Sequence, residues 1–101
     1  MGIVPTAVYN SQQNEDNGYF LGQNYPNPFI SKTIITFRIP QHSFVSLKVF
    51  NILGVEITEL AGKVFEQGTH SVEFGNYPKG KYLYRFECNN FIATHEMTVI
   101  E

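Results

Sequence analysis

Apolar and polar residues alternate in short stretches along the chain from about residue 33 onwards. The stretch 33–39 places Ile35, Phe37 and Ile39 on one face, and the stretch 45–51 repeats the pattern. Because the side chains of a strand point alternately to its two faces, this period of two predicts half-buried β-strands. The same reasoning predicts strands over residues 55–60, 69–74, 82–88 and 91–100, and a further strand over residues 19–25.

Turn residues separate the predicted strands. Gly54 ends the sequence Asn51-Ile52-Leu53-Gly54, where we expect it to adopt a positive φ that other residues take up only at a cost. Asn89-Asn90 is predicted to form a two-residue hairpin turn. Gly62 and Gly68 are expected to bracket a loop or a poorly paired strand.

The last predicted strand has two faces that contain apolar residues. One face carries Ala93, His95, Met97 and Val99, and the other carries Ile92, Glu96 and Ile100. We favour the first face as the buried one, because burying the second would place a carboxylate in the core.

Composition supports an all-β fold. Ile, Val, Thr, Phe and Tyr greatly outnumber Ala and Leu, which favours pleated surfaces over helices. Short strands separated by turns are typical of an immunoglobulin-like antiparallel β-sandwich of about seven strands. A single cysteine, Cys88, excludes an internal disulfide, so stability must come from the core.

The chain divides into a polar entry and one folded domain. Residues 10–18 lack apolar residues other than Gly18, so residues 1–18 are interpreted as a disordered linker or the end of a preceding passenger, and residues 19–101 as the domain. The beginning carries no secretory signal, and we expect a fragment of a longer protein. No stretch approaches the roughly 20 apolar residues of a membrane span.

The charge pattern excludes several classes of partner. Charged residues make up 16% of the chain, the formal net charge is −2, and the basic residues are scattered. Nucleic acid and anionic lipid are bound through clustered basic residues, so neither is an expected partner. We expect a monomer.

Residues for catalysis or metal binding are sparse. The only aspartate, Asp16, lies in the predicted linker, and no Gly-x-Ser-x-Gly sequence is present. Cys88 has no neighbouring histidine and suits a buried position. His42, His70 and His95 lack paired ligand spacing, although His70 and His95 could meet across a sheet. We predict no catalytic residue, no cofactor site and no metal site, and therefore not an enzyme.

Aromatic residues allow two interpretations. Tyr82, Tyr84 and Phe86 share one face of a predicted strand, where they would form either part of the core or a platform for stacking on sugar rings. The core is favoured for most aromatic residues. The candidates for exposure are Tyr9, Tyr19, Phe65 and Tyr77.

The most specific segment is Leu21-Gly22-Gln23-Asn24-Tyr25-Pro26-Asn27-Pro28-Phe29. Its two prolines fix their φ angles and bias the preceding residues towards extended conformations, which makes a rigid, kinked corner. The asparagines suit hydrogen bonds to nearby backbone, and we expect Tyr25 and Phe29 to pin the corner to the edge of the sandwich.

This segment and the motifs that follow it resemble the C-terminal sorting domains of type IX secretion cargo, the Por secretion tail family. The resemblance spans residues 20–100, and a related sandwich occurs in flagellar hook-capping proteins. The motifs are Thr33-x-Ile35-x-Phe37-x-Ile39-Pro40, Val45-x-Leu47-x-Val49-Phe50-Asn51-x-x-Gly54, Gly68-x-His70-x-Val72-x-Phe74 and Pro78-x-Gly80-x-Tyr82-x-Tyr84. The family-motif residues with a mainly structural role are Asn24, Tyr25, Pro26, Asn27, Pro28, Phe29, Gly54, Gly68, Pro78, Gly80 and Tyr82.

The resemblance implies a signal module at the carboxyl end of an exported protein of Bacteroidota-type bacteria. Its implied partners are a covalently linked upstream passenger, the outer-membrane type IX translocon and a sortase-like transpeptidase that cuts in or near residues 10–18. The passenger would pass through the periplasm to the cell surface or the medium. Main-chain groups of a terminal strand can provide affinity, so we expect the hairpin 82–100 to be recognised, with Met97, Thr98, Val99 and Ile100 as the recognition residues.

Two departures from the common family pattern stand out. Ile30 replaces the usual asparagine, and the chain ends in Thr98-Val99-Ile100-Glu101 without a terminal Lys or Arg. A carbohydrate-binding or adhesive sandwich and a structural spacer domain remain as alternatives, because the fold by itself does not determine function.

Overall fold

The computed structural model describes residues 15–100, which contain eight β-strands. The strands are Glu15–Asp16 (β1), Tyr19–Leu21 (β2), Lys32–Ile39 (β3), Ser43–Asn51 (β4), Glu56–Phe65 (β5), Gly68–Gly75 (β6), Gly80–Cys88 (β7) and Phe91–Val99 (β8). They form two four-stranded sheets in the orders β1-β2-β3-β6 and β5-β4-β7-β8, and all pairs are antiparallel. The predicted all-β sandwich is confirmed. Within the described residues no helix is long and apolar enough to cross a membrane.

The core lies between the two sheets and is built from the alternating positions. Ile35, Phe37 and Ile39 of β3 are buried, as are Met97 and Val99 of β8, so the predicted inward faces of both strands are confirmed. Fully burying a side chain of this size stabilises a fold by about 1.5–3 kcal/mol. The remaining core residues are Leu21, Phe29, Val45, Leu47, Val49, Ala61, Phe74, Tyr82, Tyr84, Phe86, Cys88 and Phe91.

The aromatic residues form a connected network inside the sandwich. Tyr82, Tyr84 and Phe86 are buried, so this row belongs to the core and offers no platform to a sugar. Phe86 lies 5.1 Å from Phe37, ring centre to ring centre, which joins the two sheets. The candidates for exposure are instead partly buried against this core: Tyr19, Phe65 and Tyr77. Tyr9 lies outside the described residues.

The predicted turns are confirmed. Gly54 has a φ of 85°, and the two-residue turn Asn89-Asn90 has Asn89 at a φ of 57° between the paired residues Cys88 and Phe91. Asparagine tolerates the left-handed region better than most residues because its short side chain bonds locally.

Two strands end four or five residues away from the predicted position, whereas the other predicted strand boundaries differ by at most two residues. Gly62 lies inside β5, paired with Ser46, so no loop or break occurs between residues 60 and 65. The ladder to β4 supplies the backbone bonds here, and pairing overrides the weak strand preference of glycine. The predicted strand 19–25 ends at Leu21, because the ladder to β3 does not continue beyond it: only the bond from the N–H of Gly22 to Thr36 O and an isolated bridge between Tyr25 and Ile34 follow.

The described part of the chain begins with a small hairpin. β1 and β2 pair through Glu15 with Phe20 and Asp16 with Tyr19, and Asn17 and Gly18 make the turn with φ angles of 52° and 92°. Residues 1–14 of the predicted linker lie outside the described residues.

Candidate functional site: the strap and the terminal strand

Residues 23–29, here called the strap, connect one sheet to the other. At its start, Tyr25 exchanges two backbone hydrogen bonds with Ile34 of β3, at 2.9 and 3.0 Å. At its end, the N–H of Phe29 donates to Thr98 O of β8 (3.0 Å), and the N–H of Ile100 donates to Phe29 O (2.9 Å). The strap therefore closes one side of the sandwich. Its peptide bonds Tyr25–Pro26 and Asn27–Pro28 are cis.

Asn24 is the buried centre of the strap. Its Nδ2 donates to Thr33 Oγ1 (3.0 Å) and to Pro26 O (3.1 Å), and its Oδ1 accepts from Gln23 Nε2 (2.6 Å). Thr33 Oγ1 in turn donates to Pro26 O at 2.7 Å. Buried polar groups must be paired to avoid a desolvation cost, and here one amide side chain holds the corner around Pro26.

Tyr84 fixes the strap from inside the core. Its hydroxyl accepts the N–H of Asn24 (2.7 Å) and donates to Gly22 O (2.7 Å). Burial raises the pKa of Tyr84 strongly, and the bond from Asn24 opposes this effect only in part. The phenol stays protonated, so both backbone groups keep their partner.

The strap covers the outer edge of β8 at its carboxyl end. Gln23 Nε2 donates to Glu96 O (2.9 Å), and Asn27 Oδ1 accepts the N–H of Thr98 (3.0 Å). Together with the two Phe29 bonds, these contacts occupy the edge from Glu96 to Ile100. The backbone N–H and C=O groups of successive residues in a strand point alternately to its two sides, so those of Ile92 and Thr94 point to the same outer edge of β8 as those of Thr98. Within residues 15–100, no backbone hydrogen bond reaches Ile92 or Thr94 at that edge.

The two aromatic residues of the strap behave differently. Phe29 is buried and contacts Phe74 edge to face, with ring centres 6.1 Å apart, so its predicted role as an anchor is confirmed. Tyr25 is 80% exposed, so its predicted role as an anchor is wrong. The bridge to Ile34 uses only the backbone of Tyr25, which leaves its side chain directed away from the core.

The other family-motif residues lie at turns or at the starts of strands, except Tyr82, which lies within β7. Gly54, Gly68 and Gly80 have φ angles of 85°, 130° and 147°, which L side chains rarely adopt. Pro78 accepts the hydroxyl of Tyr82 through its carbonyl oxygen at 2.6 Å. These positions shape the connections between strands.

The four predicted recognition residues alternate in accessibility. Met97 and Val99 are buried, Thr98 is half-buried and Ile100 is exposed. The strap already uses the outward backbone groups of Thr98 and the N–H of Ile100. A receptor that meets the folded domain therefore has access to side chains at positions 98 and 100, and to free backbone groups only nearer the start of β8.

Cysteine and histidine occupy structural positions. Cys88 is buried, and burial raises the pKa of its thiol, which a hydrogen bond involving Ser43 offsets in part. His70 contacts Glu66 O (2.7 Å) in one sheet, whereas His95 contacts Leu21 O (3.1 Å) from the other, so the two do not meet. His42 is exposed beside Glu66. No group of three metal-ligating side chains occurs in the described part of the chain.

The sequence did not indicate the long-range hydrogen bonds that two residues of the site make. Gln23 bonds Glu96, which is 73 residues away, and Tyr84 bonds Asn24 and Gly22 across 60 and 62 residues. No local sequence pattern indicates that residues so far apart in the chain bond to each other. The only available signal was that Gln23 lies beside Asn24 in the proline-rich segment.

The family comparison matches the part of the chain that contains this site. A family model described as the secretion system C-terminal sorting domain matches residues 23–101, from the first residue of the strap through β8. Searches of curated proteins and of solved structures find no match. The strap and the closed terminal strand thus lie wholly within the matched region, and the chain belongs to the family of secretion system C-terminal sorting domains, as a sorting signal for type IX secretion.

Proposed function

We propose that this sorting domain carries an upstream passenger through the outer-membrane translocon as a folded recognition unit. Family membership implies a passenger, contact with the secretion system, and a destination at the cell surface or outside the cell. In the proposal, the passenger crosses the periplasm, the part of residues 1–18 that precedes Glu15 acts as the tether, and the recognised domain, expected over residues 19–101, also includes the β1 residues Glu15–Asp16. A sortase-like transpeptidase then removes the domain, and the passenger is released or joined to surface lipopolysaccharide.

The observation that carries this proposal is the closure of β8 by the strap. Residues 23–29 hold residues 96–100 through backbone and side-chain bonds from the other end of the domain. The surface around the terminal strand therefore exists only in the folded chain. A receptor that reads it selects domains that have completed folding.

Within the last hairpin, the proposed recognition residues divide into two roles. Met97 and Val99 anchor β8 in the core, and this holds Thr98 and Ile100 at the surface. The outward backbone groups of Ile92 and Thr94 provide a short edge to which a receptor segment can add as a strand. The side chains of Thr98 and Ile100 would then determine the register in which the receptor segment pairs with β8.

Processing is proposed to occur before Glu15. Residues 15–21 form the β1–β2 hairpin, in which Tyr19 stacks on Phe91 at 5.3 Å and its hydroxyl accepts from Asn89 Nδ2 at 2.8 Å. A protease binds an extended, accessible segment, and cutting within this hairpin would require it to detach. These contacts favour cleavage within residues 10–14, inside the broader predicted range 10–18.

The domain itself is proposed to be non-catalytic. Family members are sorting signals, and in this chain the buried Cys88 thiol lacks the environment that activates a nucleophile. Sugar binding is not favoured, because Tyr82 and Tyr84 lie in the core.

A passenger fusion tests the proposal. Residues 10–101 are fused to a fluorescent protein that is exported to the periplasm of a bacterium with a type IX system. We expect the fluorescent protein at the surface or in the medium, and retention in the periplasm when residues 91–101 are deleted. Normal surface display after the deletion would contradict recognition through the last hairpin.

The deletion also removes the partners of the strap, so a point variant separates recognition from folding. Ile100→Asp changes an exposed side chain at the proposed site, and Ile34→Asp changes an exposed side chain on the other sheet. We expect only Ile100→Asp to reduce export, although Ile34→Asp should melt at the lower temperature of the two, because its carboxylate would lie opposite Glu73 of β6. Equal export of the two would remove Ile100 from the recognition surface.

A further inference from the structure

The turn between β4 and β5 exposes three aliphatic side chains around one glycine. Ile52 is 72% exposed, Leu53 is 83% exposed and Val55 is 55% exposed. Scattered single exposed apolar residues are ordinary, but three in one turn form a local apolar surface. We call residues 52–55 the apolar tip.

The apolar tip is held in one conformation by Asn51. Its Oδ1 accepts the N–H groups of Leu53 (2.9 Å) and Val55 (3.1 Å). Its backbone carbonyl accepts the N–H of Gly54 (2.9 Å) and its own N–H donates to Val55 O (3.0 Å), and Gly54 takes the positive φ that the turn requires. A turn fixed in this way loses little conformational freedom on binding, so it is preorganised for contact.

The apolar tip lies at the same end of its sheet as the end of the terminal strand. Asn51 pairs with Tyr82 of β7, and Tyr82 pairs with Met97 of β8. Ile100, which is exposed, follows at this end. The tip and the proposed recognition residues are therefore on the same side of the molecule for an approaching receptor.

The charges near the tip favour a protein pocket over a lipid surface. Lys48 lies 3.6 Å from Glu56, and Lys81 lies 3.8 Å from Glu96, so these basic groups on the same sheet are already paired with carboxylates. The chain carries a formal net charge of −2. Anionic membranes attract apolar segments that are flanked by unpaired basic clusters, and this turn has no such cluster in its own sequence.

We propose that the apolar tip inserts Ile52 and Leu53 into an apolar pocket of the secretion component that binds this domain. The inference rests on the proposed function and adds a second contact to the terminal strand. An exposed aliphatic side chain that leaves water for an apolar pocket adds affinity in proportion to the apolar area it buries, so truncating two of them lowers affinity by roughly tenfold or more.

The test uses the fluorescent passenger fusion with matched double variants. Ile52→Ser with Leu53→Ser removes the two most exposed aliphatic side chains of the tip. Phe44→Ser with Val64→Ser is the control, because these residues are 56% and 49% exposed and pair at the opposite end of the same two strands. Melting of each purified 101-residue chain reports any loss of folding.

We expect the tip variant to lower export by roughly tenfold at an unchanged melting temperature, and the control to export normally. Asn51→Ala, which loosens the turn but keeps its aliphatic residues, is expected to give an intermediate loss. If the unmodified chain exports nothing, the proposed function fails. If it exports and both double variants export equally well, only the tip proposal is overturned.

Two further outcomes would also overturn the tip proposal. One is binding of the purified chain to vesicles of phosphatidylethanolamine and phosphatidylglycerol that the tip variant abolishes, which would assign the tip to lipid. The other is a dimer in gel filtration that the tip variant dissociates, which would assign it to a second copy of this chain.

Discussion

Replacing Asn24 with alanine removes the polar centre of the strap. Two buried or partly buried bonds donated by Nδ2, to Thr33 Oγ1 and Pro26 O, are lost. Each contributes about 1 kcal/mol net. Pro26 O keeps its bond from Thr33, and Gln23 keeps its bond to Glu96 in an exposed position, so neither is left without a partner. Adding a small cavity term, we expect a loss of about 2–3 kcal/mol in the free energy of unfolding.

Urea denaturation followed by far-UV circular dichroism measures this loss, since the chain contains no tryptophan. The midpoint should fall while the dependence of the free energy on urea stays unchanged, because the surface exposed on unfolding is the same. For a domain of this size the loss corresponds to a fall of roughly 10–20 °C in melting temperature. Tyr25→Ala is the matched control, because the neighbouring ring is exposed, and we expect it to change stability by less than about 0.5 kcal/mol.

Either of two results would refute this reasoning. A free energy of unfolding for Asn24→Ala within about 0.5 kcal/mol of the unmodified chain would show that the buried bonds do not hold the strap. An equal loss in Tyr25→Ala would show that the segment is stabilised by its aromatic surface instead.

Three further predictions concern residues that are buried or half-buried. In urea denaturation, Phe29→Ala should lower the free energy of unfolding by about 3–5 kcal/mol, whereas Ile30→Ala, at an exposed position, should change it little. Similar losses in the two variants would contradict the anchoring role of Phe29. Burial lowers the pKa of His95, and its hydrogen bond with Leu21 O opposes this, so the contribution of His95 to stability should be complete above about pH 6.5 and decrease as the pH drops below it. Denaturation at pH 8 and at pH 5.5 should show a smaller loss of unfolding free energy at the lower pH in His95→Gln than in the unmodified chain. An equal loss in the two chains would exclude His95 as the cause. Cys88 should react with a thiol reagent only slowly in the folded chain and rapidly in urea, and fast native reaction would contradict its burial.

Much of the fold is predictable because strand alternation is a local property. The sequence predicts the inward faces of β3 and β8, since a polar residue such as Glu96 at a core position is costly. It predicts the turns at Gly54 and Asn89 because backbone conformation there depends on residue type. It does not predict that β5 continues through Gly62, because pairing with β4 decides that boundary.

The proline-rich segment shows where prediction ends. Its sequence indicates a rigid corner and a family, but it treats Tyr25 and Phe29 alike, although one is exposed and the other buried. Which ring enters the core depends on where β3 and β8 lie relative to the strap. That arrangement involves contacts across about 70 residues, which residue type and spacing do not encode locally.

By itself, the sequence determined an all-β domain without clustered charge and, through its motifs, the sorting family. Only the tertiary structure decided that the strap closes the edge of the terminal strand and that Ile52 and Leu53 are displayed on a rigid turn. The physical reason is that alternation and turn preferences act between neighbours, whereas the pairing of edges and the exposure of a side chain depend on which distant segments meet.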